Sequence, residues 1–122
     1  VIVSYVIIDI MPEKMKVKEL EGYILEVISD VCQIEIEDLL GDKRTKKIIN
    51  GRFIFYHIMN KYFGYKKTKI ARLIGRNHAS VIAGLAKFDN YYHYDMQFKQ
   101  LFNVISIELN LKLHDKGNCI KI

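Results

Sequence analysis

The sequence predicts an all-α protein, a small helical bundle containing a helix-turn-helix, and three observations carry that expectation. Apolar residues recur at spacings of three and four along most of the chain. Gly41, Gly64 and Gly75 close successive apolar runs, as glycine does after a helix. Two short helical segments meet at Gly75, the layout of a helix-turn-helix. With 122 residues, 50% of them hydrophobic, the chain is long enough for one domain around one core.

The elements follow in order. VIVSYVIIDI, residues 1 to 10, is β-branched and compatible with a short β-strand, which Met11-Pro12 would end. It is half the length of a membrane span and lacks the basic start and cleavage site of a signal peptide, so no membrane partner is expected. So much apolar surface should either pack on the bundle or join a second copy in a homodimer through residues 1–10. From Glu13 to Val31, Leu20, Tyr23, Ile24, Val27, Ile28 and Val31 form the apolar stripe of an amphipathic helix. IEIEDLLG holds a short helical turn ending at Gly41, and DKRTKK follows as a basic loop. Ile48, Phe55, Ile58, Met59 and Tyr62 mark the next helix, closing at Gly64. A short helix is expected over 67–74. Asp95 can cap a last helix with Phe98, Leu101, Ile105 and Leu109 inward, before an irregular or extended tail. The expected division is an extended segment over 1–12, a helical domain over 13–114 and a tail over 115–122.

IGRNHASVIAGLAKF, residues 74 to 88, is the most informative stretch. Gly75 suits a tight turn and Asn77 is a good N-cap, which places a helix start near His78. At 100° per residue Val81, Leu85 and Phe88 share one face, and Ala79, Ala83 and Ala86 the opposite one. A surface helix usually carries charge on its outer face. Here the outer face is methyl groups rimmed by Arg76, His78, Ser80 and Lys87, which lets something large and polar approach closely. Ala71, Gly75 and Val81 supply the close crossing, the turn and the core contact of a helix-turn-helix, whose second helix lies in the DNA major groove.

Charge points the same way. Residues 42–87 hold twelve Lys and Arg against Asp42 alone, a net of +11, which leaves −6 on the rest of a chain whose total is +5. Such polarity suits a dense polyanion better than simple solvation of helix faces, which mixes both signs. Cys32 and Cys119 are too few for a disulfide framework and too far apart for a metal knuckle. No metal or cofactor is expected, and a soluble, cytoplasmic protein is.

Residues 24 to 109 resemble the DNA-binding domain of the bacterial chromosomal replication initiator DnaA. The family signature is similar to GGRDHTTVLHA, and this chain has GRNHASVIAGL. Upstream, a leucine pair, a basic loop and a helix opening near an arginine are matched by Leu39, Leu40, Lys43, Arg44 and Arg52. The resemblance implies that Arg44 enters the minor groove. It puts Arg76, Asn77, His78, Ala79 and Ser80 in the major groove, with Lys67 and Thr68 near phosphates. Lys43, Lys46, Lys47, Arg52, Lys69, Ala83 and Lys87 complete the expected DNA-binding set. The turn is one glycine shorter than the family's, Asn77 replaces aspartate and Ala79-Ser80 replaces Thr-Thr, so base preference is expected to differ. No G-x-x-x-x-G-K-[ST] phosphate loop occurs. The expectation is therefore a DNA-binding domain used alone, as in phage, prophage or accessory proteins, serving replication or transcription control.

Each residue also has a plainer role open to it. His78 can bond the backbone at a helix start, and Arg44 can be a solvated loop charge. Tyr91, Tyr92 and Tyr94 read as packing residues at a helix start rather than a base-stacking platform. Asp89, His93 and Asp95 read as capping and surface groups, and no enzyme is indicated. Beside double-stranded DNA binding, two other classes compete. One is a protein-interaction module that docks a host replication or regulatory protein on the Ala79-Ala83-Ala86 face. The other, an RNA-binding or nuclease role, lacks both a stacking platform and paired carboxylates in the basic region.

Overall fold

A computed structural model describes the backbone of residues 17–114 and the side-chain surroundings of residues 20–110. The expected strand and homodimer contact at residues 1–10, and the tail at 115–122, lie outside the described residues. Within them the chain forms six helices: α1 (Val17–Cys32), α2 (Ile36–Leu40), α3 (Lys46–His57), α4 (Lys67–Ile74), α5 (His78–Tyr94) and α6 (Met96–His114). No strand occurs among the described residues, and the all-α bundle is the observed architecture.

Helix α1 buries Leu20, Ile24, Val27 and Ile28 on one stripe, the spacing that makes it amphipathic. It stops at Gln33, which turns left-handed (φ 59°) while Ile34 N donates to the Ser29 carbonyl at 3.0 Å. Helix α2 is a single capped turn: the Glu35 amide donates to Asp38 Oδ2 at 3.2 Å, and only Leu39 is fully buried. Thr45 then caps α3 through its hydroxyl, which accepts from Ile48 N.

After His57, Ile58–Tyr62 widen into a π-helical turn that the apolar spacing does not announce. Two bonds close the exit: Tyr65 N donates to the Met59 carbonyl and Asn60 Nδ2 to the Tyr65 carbonyl, each at 2.9 Å. The Tyr65 hydroxyl donates to Glu21 Oε2 at 2.8 Å, pinning the entry of α4 to α1, and burial followed by that bond raises Tyr65 above the ordinary tyrosine range.

The long helix α5 is the hub, packing on α3, α4 and α6, while α1 packs on α3 and α6. Val81 and Phe88 face inward and Ala79, Ala83 and Ala86 outward, as the helical spacing predicts, while Leu85 is only half-buried and Gly84 joins the inward face. Gly84 is where α5 crosses α3 most closely: a Cβ there would lie 2.5 Å from Tyr56 Cδ2. Beyond it the core is aromatic. Phe88 stacks on the His57 ring at 3.8 Å and meets Phe98 and Phe102 edge-on at 5.3 and 5.1 Å. Tyr91 and Tyr92 pack against this layer, and Tyr94 stands exposed. All three lie at the C-terminal end of α5 rather than at a helix start, because nothing interrupts the helix before Asp95 turns extended. Asp95 Oδ1 accepts from Phe98 N at 3.1 Å and caps α6 as expected.

Candidate nucleic-acid interface

The helix-turn-helix consists of α4, a three-residue turn and α5. Gly75 occupies the left-handed region (φ 70°) and its amide closes α4 on the Ala71 carbonyl, a conformation that costs a side-chain-bearing residue about 1 kcal/mol. Two residues on, Asn77 caps α5 by accepting from Ser80 N at 2.8 Å. Ala71 and Val81 are both buried where α4 meets α5. The N-terminus of α5 consequently points outward with Asn77, His78 and Ala79 exposed and Ser80 half-buried at its tip.

Basic side chains flank α5 on both sides. On one side a cleft between α5 and the basic loop is walled by Arg44, Arg76, Ser80, Ala83 and Lys87 and floored by Tyr56. On the other, Lys67 at the first turn of α4 shares a hollow with Lys61, Ile82 and Ala86, and Asp89 sits at its far end. Lys67, Thr68 and Lys69 are exposed, and the Lys69 ammonium lies 4.3 Å from the centre of the Tyr65 ring. Lys43 is exposed and pairs with Asp38 at 3.3 Å, whose carboxyl the Glu35 amide, then Lys43, hold below the usual range.

Two expectations differ in placement. Lys46 and Lys47 are exposed but line a hollow beside Cys32 and Asp95, away from α5. Their place at the start of α3 turns them from the cleft. Arg52, expected on the basic face, is only 5% exposed: it lines the same cleft as Arg44 and Arg76, with its guanidinium turned to the backbone. The reason is physical: α2 ends inside the bundle with unpaired carbonyls, and Arg52 satisfies them. Its Nε donates to the Leu39 carbonyl at 2.9 Å, and its Nη2 to those of Asp38 at 2.9 Å and Gly41 at 2.7 Å. Arg76 is largely covered as well, with 17% of its side chain exposed. Its Nη2 donates to the same Gly41 carbonyl, and its Nη1 lies 3.7 Å from Asp42 Oδ1.

Ile82 was not singled out from the sequence. It is 44% exposed on α5, one turn after Ala79 and four residues before Ala86, so the outer-face spacing itself contained the signal. The neutral floor residue Tyr56 had none, because only the fold carries it under the cleft. Among the described residues no group of His, Cys, Asp and Glu is placed to hold a metal ion, and no helix is long and apolar enough to cross a membrane. Burial pushes the Cys32 thiol up to about 11, which keeps it an unreactive core group.

Residues 22–87 match the family model of the bacterial dnaA protein helix-turn-helix. Similar proteins include the chromosomal replication initiator protein DnaA of Flavobacterium psychrophilum, 30% identical over 90 residues, which are 73% of this chain and 19% of that protein. The protein of the same name from Thermodesulfovibrio yellowstonii is 26% identical over 105 residues, 85% of this chain and 24% of its own length. That of Aquifex aeolicus is 29% identical over 79 residues, 64% and 20% of the two chains. This chain thus spans about a fifth to a quarter of the relatives it matches.

Proposed function

The chain belongs to the bacterial DnaA helix-turn-helix family, and on that premise we propose that it binds double-stranded DNA, with α5 in the major groove and the loop carrying Arg44 in the adjacent minor groove. The observation that carries this reading is the cleft shared by Arg44, Arg76 and Lys87 beside the small, exposed face of α5. Ala79, Ala83 and Ala86 keep the helix slim enough to approach base edges. Cations on both flanks suit the two strands of phosphates that border a major groove.

The roles divide by chemistry. His78, Asn77 and Ser80, at the N-terminus of α5, offer donors and acceptors to base edges, and Ala79 and Ile82 offer methyl groups to thymine. Arg44 is drawn to the negative potential of a narrow, A/T-rich minor groove. Lys67, Thr68, Lys69 and Lys87 neutralise phosphates, and the helix N-termini favour the same anions. Lys43, Lys46 and Lys47 extend the positive field without being gathered around α5. In this reading the chain acts as an accessory regulator of replication or transcription, of the kind a phage or prophage carries.

Titration with random duplex, A/T-rich duplex and single-stranded oligonucleotides tests the proposal. Binding to duplex with a preference for a defined sequence is expected. Equal or tighter binding to single strands would contradict it, and capture of an acidic protein partner without any duplex binding would favour the interaction module instead.

A further inference from the structure

Arg52 lines the cleft but is only 5% exposed and spends its guanidinium on backbone carbonyls, and its position bears on how DNA is read. Its guanidinium gathers the carbonyls of Asp38, Leu39 and Gly41, the last turn of α2 and the cap residue that leads into the basic loop. Arg76, in the helix-turn-helix turn, donates to the same Gly41 carbonyl. One backbone oxygen is therefore the junction between the loop and the turn. Three residues beyond it in sequence stands Arg44, and two residues beyond Arg76 stands His78.

We propose that Arg52 is a positioning residue that, with Arg76, fixes the basic loop to the helix-turn-helix at the Gly41 carbonyl and so sets the spacing between the minor-groove and major-groove contacts. A planar guanidinium spreads its donors over several nitrogens in a fixed fork, whereas an ammonium directs its three donors from a single nitrogen on a flexible stem. The bonds are charge-assisted, that to Leu39 is buried and the others are partly so, which stiffens the junction. A loose loop would let Arg44 follow a displaced minor groove. A stiff one makes the protein measure the separation between an A/T-rich tract and the core site. One inserted base pair moves the tract by about 3.4 Å and turns it by about 35°, far more than a loop held where it begins absorbs.

The inference rests on the proposed DNA reading, and its test separates the two. A site selected from random duplex by the unaltered chain is rebuilt with one base pair inserted or removed between tract and core. The unaltered chain should lose affinity about tenfold on either change, the scale of one mismatched base pair. Arg52→Lys, each change measured against its own affinity for the selected site, should lose less than about threefold, a spacing tolerance that general loss of affinity or stability would not produce. Equal spacing penalties in the two proteins, or no spacing penalty in the unaltered one, would overturn the clamp while leaving DNA binding intact. Failure of the unaltered chain to bind duplex at all would overturn the DNA reading instead. A second measurement needs no DNA and leaves Arg52 in place. Spin labels on cysteines placed at the exposed positions Lys43 and Ala86, with Cys119 changed to Ser and Cys32 buried, report the loop-to-α5 distance directly. A single narrow distance distribution is expected, and a broad one overturns the clamp.

Discussion

His78 and Lys67 stand on opposite sides of the turn, and in the proposed complex they meet DNA through different chemistry. Lost from the tip of α5, the His78 ring takes with it contact to one base edge, so His78→Ala should cost about 1–3 kcal/mol at one base position and relax selection there. Lys67→Ala should weaken all duplexes alike and make the salt slope shallower by about one unit. Arg44→Ala should cost most on duplexes with an A/T-rich tract beside the core site, because groove width depends on sequence. Titrations against base-substituted duplexes separate the three, and unchanged base preference in His78→Ala with altered preference in Lys67→Ala would contradict the placement of α5. His57 has a different consequence, for stability. Burial between Phe88 and its neighbours lowers its pKa from 6.5 to about 4, so the folded chain keeps the ring neutral. The unfolded chain takes up the proton first as pH falls. Stability from this group is therefore complete above about pH 6.5 and declines from there toward pH 4. Denaturant midpoints should drop between pH 7 and pH 4.5, and by less in His57→Phe.

Helix α5 is held against α3 at Gly84, and that crossing makes a sharper prediction than any helix propensity. Alanine favours a helix interior over glycine by about 1 kcal/mol. At this position its methyl would meet the buried Tyr56 ring at 2.5 Å, so Gly84→Ala should instead destabilise by about 1–3 kcal/mol in chemical denaturation. An unchanged or raised midpoint would mean that the two helices are not in that contact. Gly84 also marks the limit of what the sequence conveys. The turn at Gly75, the cap at Asn77 and the bounds of α4 were legible because each depends on neighbours within about one helical turn. The outer methyl face of α5 was legible for the same reason. The π-helical turn at Ile58–Tyr62, the floor of Tyr56 and the inward turn of Arg52 depend on distant partners, such as the α2 carbonyls more than ten residues before Arg52. An arginine among lysines carries no local mark that it faces inward.

Across the whole molecule, charge and shape agree. The +11 of residues 42–87 is borne by the loop, α3, the π-helical turn, α4 and the first half of α5, while the opposing −6 lies in residues 1–41 and residues 88–122 are neutral. The match to the bacterial dnaA helix-turn-helix spans residues 22–87 and thus takes in the whole of this basic region. Carbonyl bonds hold the guanidinium groups of Arg52 and Arg76 at the wall of the cleft, so fewer cations are free to reach for a ligand than the composition suggests. The dependence of duplex affinity on salt tests the central claim most directly, because it counts the phosphates that the exposed lysines and arginines neutralise. If about four to six are neutralised, log K should fall against log salt with a slope of about −4 to −5. Affinity that stays flat from low to physiological salt would contradict the account.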